Sequence, residues 1–410
     1  MLNKTILLFT DSFPYGKGEP FLEAEIVYLA KKFKVVYIFP SNLGENERPL
    51  PSNCIVVDPA VKFKAEKKMR FYVLKNWYRI LKFYFYLLIA SEKRKYYFKN
   101  LGAVIVDLAL LLEEAYLYLD ILKEYLEKSN LIYFYWFRKP VINFALLKTS
   151  KRISHKLVAR AHGYDYDPSR NVLGFYLYRE LELNSLDNLV VASNWGAKLE
   201  RKIYPKYSSK ISSCHLGVAN DLRLNPTNVD HVFHLVSCSF ITKTKRVDLI
   251  LEILKYVKIE LKWTHIGDGN LLEIINQQSS LLPQNISCEF LGFRSNSFIL
   301  DYYKMVPCDL FITTTLLEGG VPVSIMEAIA HGIPVIGPSI AGVPEIVNDQ
   351  TGFLIPKDFD PKEIAELINN YSLKSTDQRE LFRKSARQFY EKNFDAERNF
   401  NFFIDRYLNS

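Results

Sequence analysis

The stretch TTTLLEGGVPVSIMEAIAHGIPVIGPSIAGVPEIV, Thr313 to Val347, decides the fold. It closes an apolar run that begins at Asp309, as a buried strand does, and passes through Glu318, Gly319 and Gly320 into a helix that starts near Pro322. Val323 to His331 is that helix, and Pro334 to Ile336 is the next strand. Strands alternating with helices in this way argue a parallel sheet. The loop then holds the backbone N–H groups of Gly319 to Val323 at a positive helix end, which suits anionic or hydroxyl-rich ligand atoms. Glu318 lies just before the loop and Glu327 one turn inside the helix, two carboxylates directed at one pocket. The plainer alternative is a tight turn flanked by solvated glutamates.

Outward from this segment the same alternation recurs. Thr5 to Thr10 and Val35 to Phe39 are short apolar runs, and between them Leu22, Ile26, Leu29 and Phe33 fall at helical spacing. That is a βαβ unit with a right-handed crossover. Leu131 to Phe134, Lys156 to Ala161 and Asn188 to Ala192 continue the first sheet. The stretch VANDLRLNPTNVD, Val218 to Asp230, is polar and aperiodic and reads as a linker. Beyond it His234 to Cys238 and Leu261 to Ile266 are strands, with helices at Val247 to Val257 and Asn270 to Gln278. Two successive doubly wound halves put a ligand cleft at the carboxyl ends of the strands.

Three further loops carry chemistry. ARAHGYDYD, Ala159 to Asp167, ends an apolar strand at His162 beside Asp165, and a strand end delivers such a histidine to the cleft. CSFITKTKRVDLILEIL, Cys238 to Leu254, places Lys243, Lys245 and Arg246 before a helix, where Lys can meet a diphosphate as a point charge and Arg as a fork. FPYGKGEPFLEAEI, Phe13 to Ile26, carries Gly16 and Gly18 between a strand and a helix, and Gly267, Asp268 and Gly269 follow another strand. Neither glycine loop has the full dinucleotide fingerprint.

Thr313 to Val347 resembles the donor-sugar signature of family 4 of the glycosyltransferases, retaining enzymes of GT-B architecture. Glu327, Ala328, Gly332, Pro334, Val335 and Ile336, and the turn of Gly342, Pro344 and Glu345, fall on its pattern. The spacing of the glutamates, 327 minus 318 or nine, is one longer than the family's usual spacing. The resemblance implies an α/β fold of two Rossmann-like domains facing across a cleft, with the C-terminal helix returning to the N-terminal domain. Residues 1–222 would be the acceptor-binding domain, with a basic and aromatic helical insertion at about 61–130; residues 230–385 the nucleotide-sugar domain; and 386–410 the returning helix.

It further implies transfer of a sugar from a nucleotide-sugar donor to an acceptor hydroxyl with the anomeric configuration retained. His162, Glu318 and Asp165 would be catalytic. Lys245, Arg246, Glu327, Gly319, Gly320, Val321, Pro322, Val323, Gly267 and Asp268 would bind the donor, and Gly16 and Gly18 would form an acceptor- or phosphate-facing loop. Phe240 stands where the family often has an arginine, so Lys245 would carry the diphosphate with help from Arg246. No cofactor beyond the co-substrate and no metal are expected. A nucleotide-sugar 2-epimerase on the same fold, or a non-catalytic sugar-nucleotide-binding protein, are the alternatives.

Composition narrows the setting. Lys plus Arg is 53 against 45 for Asp plus Glu, a difference of 8 that does not argue for nucleic acid. Residues 61–100 nevertheless hold twelve basic side chains against Glu66 and Glu92, leaving the rest near minus two (8 minus 10). There Lys75, Arg79, Lys82 and Tyr86 form one helical stripe among aromatic and aliphatic residues, which suits an anionic membrane surface. The alternative is a packed helix with a solvated basic edge. Five scattered cysteines without a CxxC pair are those of a reducing compartment. The expected location is therefore cytoplasmic, peripheral on the inner face of the membrane, with a lipid-linked saccharide of surface polysaccharide synthesis as acceptor.

Overall fold

A computed structural model describes residues 4–409 apart from 17, 46, 59–68, 220–222 and 230–231, with the backbone alone at 69–75. The basic residues at 62–68 and the Lys75 side chain lie outside the described residues. The chain forms two compact units, one of Met1–Ala192, Gly196–Cys214 and Phe402–Ser410, the other of Ser193–Trp195 and His215–Asn401.

The first unit holds a parallel sheet of seven strands: β1 (Thr5–Thr10), β2 (Val35–Pro40), β3 (Cys54–Val56), β4 (Leu131–Phe134), β5 (Lys156–Ala161), β6 (Asn188–Val191) and β7 (Ile211–Ser213). Their order is β3-β2-β1-β4-β5-β6-β7, every pairing parallel. The apolar runs read from the sequence are the interior strands, and Ile6, Leu8, Val36, Ile38, Val158 and Val190 fill one core beneath the helix Leu22–Lys32. Helices Met69–Ala90, Arg94–Lys99, Leu101–Ile121 and Lys123–Lys128 lie between β3 and β4.

The second unit is a six-stranded parallel sheet of β8 (Phe233–Cys238), β9 (Leu261–Ile266), β10 (Ile286–Phe290), β11 (Leu310–Ile312), β12 (Val335–Pro338) and β13 (Gly352–Ile355), in the order β10-β9-β8-β11-β12-β13. Its separate core joins Leu235, Trp263, Leu310, Ile312 and Ile336 to Ile250, Leu254, Ile364 and Ile368 from helices.

Two expectations are corrected here. The stretch read as a linker is strapped into the second unit: Asn225 donates to the carbonyls of Tyr303 at 2.6 Å and Val306 at 2.7 Å, and Val218 forms a bridge with Asp395. Its polarity serves internal hydrogen bonds, so the division falls at 214/215 instead. The segment expected to return to the first domain, 386–410, is divided as well. Tyr390 donates to the carbonyl of Val218 at 2.7 Å within the second unit, and only Phe402–Ser410 joins the first.

Candidate functional site

In the second unit the chain winds from β8 outward to β10 and then returns to β11 on the other side of β8. The carboxyl-end loops of β8 and β11 diverge at such a switch point, which is where doubly wound sheets bind ligands. Here the two loops are laced together. Leu316 N–H donates to the Thr244 carbonyl at 2.8 Å, and the Thr314 hydroxyl to that of Arg246 at 2.7 Å. Across the same seam Lys245 Nζ is paired with the Glu318 carboxylate, both side chains half-buried or deeper. Two residues singled out separately in the sequence thus meet as one ion pair.

The amides of Gly319, Gly320 and Val321 donate to no group among the described residues. They lie between Glu318 and the helix Val323–Ala330, whose N-cap Pro322 has no N–H to offer. The loop is held from behind by the Gly342 turn: a Cβ on Gly342 would lie 2.5 Å from the Gly320 carbonyl carbon. A lysine and open helix-end amides in one place are groups of the kind that can meet an anion.

Glu327 projects from the first helical turns into the protein, buried, and accepts one hydrogen bond from Asn296 Nδ2 at 2.5 Å. Burial pushes its carboxyl up to about 7, with the Asn296 bond opposing. Cys238 at the end of β8 lies within the influence of both Glu327 and Lys245, and burial raises its thiol.

Arg246 is placed differently from expectation. Its Nε donates to the Thr314 carbonyl at 2.7 Å and its Nη2 to that of Lys357 at 2.9 Å, with its backbone at φ 49°. The guanidinium is a strut between loops, whereas the Lys245 ammonium is turned to Glu318. Gly267, with φ 148°, and Gly269 allow two loops to touch backbone to backbone, since their Cβ atoms would lie 1.9 Å from the Ser239 oxygen and 2.3 Å from the Ile241 oxygen. Asp268 accepts from Ile241 N–H through its carbonyl at 2.9 Å. Glu345 is an internal tie: it accepts from the backbone N–H of Asn194 at 2.9 Å and Trp195 at 2.7 Å and pairs with His215 at 2.7 Å, all within this unit.

The first unit repeats the logic, its switch point lying between β1 and β4. His162 follows β5 and caps the short helix Gly163–Tyr166; its backbone N–H donates to Asp165 Oδ2 at 2.9 Å. The ring packs on Trp136 (4.6 Å between centroids), Tyr135 (5.0 Å) and Phe21 (6.2 Å). Burial, together with the charges of Arg160 and Arg138, lowers its pKa to about 3, so this histidine is neutral at physiological pH. Asp165 is buried, pushed up by that burial, and receives Arg138 Nε at 3.2 Å.

The loop of Gly16 and Gly18 is organised by a residue that the sequence reading passed over. The Glu19 carboxylate accepts from the N–H groups of Asp11 at 3.0 Å, Ser12 at 2.7 Å and Phe13 at 2.5 Å, and from Trp136 Nε1 at 2.6 Å. Glycine loop, Trp136 and His162 are therefore one connected structure. Gly16 takes φ 64°, and a Cβ on Gly18 would press on the Ser12 hydroxyl at 2.9 Å. A carboxylate directly after a glycine loop was the available signal for Glu19. Asn296 offered none, because its partner lies thirty-one residues away. Among the described residues no cluster of three or more His, Cys, Asp or Glu could hold a metal ion.

Two doubly wound parallel sheets, each with a polar site at its switch point, define the GT-B class of glycosyltransferase fold. Residues 229–389, all within the second unit, match the family model of the glycosyl transferases group 1. The chain is 25% identical to the colanic acid biosynthesis glycosyltransferase named WcaL of Escherichia coli over 62% of its own length and 65% of WcaL. It is 24% identical to the amylovoran biosynthesis glycosyltransferase AmsK of Erwinia amylovora, over 54% of this chain and 56% of AmsK. The matches thus span less than two thirds of these relatives. Among solved structures, Anabaena HepE in complex with UDP and glucose has a TM-score of 0.66 at 15% identity, covering 98% of this chain and 99% of HepE. WaaG, a glycosyltransferase involved in lipopolysaccharide biosynthesis, gives 0.61 at 12%, covering 99% and 100%. These likenesses concern the fold.

Proposed function

We propose that the protein transfers a sugar from a nucleotide-sugar donor to an acceptor hydroxyl, with the anomeric configuration retained, during assembly of a surface polysaccharide or lipopolysaccharide. The observation that carries this reading is the Lys245–Glu318 pair beside the open Gly319–Val321 amides. With no anion present, Lys245 is neutralised by Glu318. An arriving diphosphate offers Lys245 more negative charge and the amides their missing acceptors, so Lys245 turns to the phosphates and Glu318 is released toward the sugar hydroxyls.

Glu327, poised near neutrality and fixed by Asn296, receives the ribose hydroxyls. As the anomeric bond breaks, charge builds on the departing phosphate, where Lys245 and the amides stabilise it. The leaving phosphate oxygen then takes the proton of the attacking hydroxyl, and neutral His162, with Asp165, orients the sugar instead of acting as a strong base. The scheme uses the donor and the acceptor with no further cofactor, and the work is done at the cytoplasmic side. WcaL, AmsK and WaaG, by their names, act in polysaccharide or lipopolysaccharide synthesis, and HepE was solved with UDP and glucose, which supports starting with UDP-sugars.

The test is a thermal-shift screen against UDP-, GDP-, ADP- and dTDP-sugars, followed by product analysis with and without acceptor. One donor should raise the melting temperature as RT ln(1 + [L]/Kd) requires, and the Lys245→Ala protein should lose that rise. Conversion of free donor without acceptor would establish the epimerase instead. Binding with no turnover of any donor would leave only a binding protein.

A further inference from the structure

The helix Met69–Ala90 belongs to neither switch-point site, and its surface is divided in an unusual way. At about 100° per residue, Asn76, Ile80, Phe83, Tyr84 and Leu87 occupy one buried arc. The arc that runs from the flank of this one to its opposite side carries Trp77, Tyr78, Phe85 and Ile89, all exposed, Trp77 at 59% and Ile89 at 82%. Lys82 is exposed at the border of this second apolar face. The following helix, Arg94–Lys99, exposes Phe98 at 77% together with Arg94, Lys95 and Lys99, and Lys93 is exposed just before it. Residues 76–101 contain six Lys or Arg and one acidic residue, Glu92. Water does not favour four large apolar side chains on one exposed arc, and a soluble surface of this kind marks a docking site.

We infer that this face lies on an anionic lipid bilayer, with Trp77, Tyr78, Phe85 and Ile89 in the headgroup and upper acyl region and the cations at the lipid phosphates. Three features favour a bilayer over another copy of the chain. The apolar residues are bordered by charge of one sign, so two such faces would repel. Trp and Tyr are the residues whose amphipathic rings favour the interface. No helix among the described residues is long and apolar enough to cross a membrane, so attachment through this face is in-plane. The inference is independent of the transfer chemistry and is read by binding alone.

Co-sedimentation of the full chain with mixed phosphatidylglycerol–phosphatidylcholine vesicles, against phosphatidylcholine alone, tests it. Binding should be at least tenfold stronger to the anionic vesicles and weaken as salt rises. Combining Lys82→Gln, Lys93→Gln and Lys95→Gln should cut the partition coefficient by about a hundredfold, at roughly fivefold for each cation removed. Trp77→Ser with Ile89→Ser should also lower it at least tenfold, with melting temperature unchanged because both side chains are already exposed. Equal binding to both vesicle types, no binding to either, or light scattering showing a dimer that Trp77→Ser and Ile89→Ser dissolve would each overturn the inference.

Discussion

Glu327 is a carboxyl group in a buried site with one amide donor, and burial raises its pKa to about 7 against an ordinary value near 4.5. Between these two values the folded protein holds a proton that the unfolded chain has released. Stability contributed by this group is therefore full below about 4.5 and is lost as pH rises through 7. Glu327→Gln has no proton to lose, so its melting temperature relative to wild type should climb between pH 5 and pH 8, by an amount worth up to about 3 kcal/mol. Its turnover should fall at least tenfold, and parallel melting curves at all pH values would refute the assignment. The neighbouring cations separate in a second experiment. Lys245→Ala should weaken donor binding at least tenfold with little change in melting temperature. Arg246→Ala removes a strut from two carbonyls and should do the reverse, costing about 1–3 kcal/mol. The sequence showed both as basic residues at a helix start. That Arg246 is the one tied inward depends on the Thr314 and Lys357 carbonyls, and no local pattern encodes such distant contacts.

Strands were legible where the sheet is interior. Buried on both faces, β1, β2, β4, β5 and β6 of the first unit, and β8, β9, β11 and β12 of the second, are apolar runs that stand out from any window. The strands left unread, β3, β7, β10 and β13, are the four sheet edges. An edge strand has one neighbour and partial exposure, and Ile211–Ser213 and Ile286–Phe290 accordingly mix Ser, Cys and Glu with apolar residues. Loops follow a similar rule. The glycines after β1 were visible, whereas the carboxylate that shapes their loop was not, because its donors come from both Asp11–Phe13 and Trp136. Glu19→Ala would strand these buried donors together. We expect a loss of about 3 kcal/mol or more in chemical denaturation, and a fall in activity larger than unfolding explains because His162 loses the support of Trp136. Wild-type stability in this variant would show that water replaces the carboxylate without cost.

At the scale of the whole molecule, each unit has its own core, yet the first is not made from one continuous stretch. Phe403, Ile404, Tyr407 and Leu408 complete the core that β1, β4 and the helix Leu22–Lys32 begin, nearly the whole sequence earlier. Phe403 is fully buried, and its ring lies 4.2 Å beneath the guanidinium of Arg160 and 5.3 Å from Tyr133. Arg160 is itself fully buried and paired with Glu25, which also accepts from the Tyr133 hydroxyl at 2.7 Å. A desolvated ion pair is tolerated only while good geometry and further polar contacts offset its lost hydration, and the Phe403 ring beneath the guanidinium helps to hold that geometry. Phe403→Ala removes the ring and opens a cavity, so the first unit should lose about 3–5 kcal/mol. The Lys245–Glu318 site and its amides draw on none of these residues. Donor affinity measured by calorimetry in the Phe403→Ala protein should therefore stay within about twofold of wild type at temperatures where the first unit remains folded, while denaturation splits into two transitions with only the earlier one shifted. A single transition moving as a whole would mean that the two cores unfold as one body and that the late segment stabilises both.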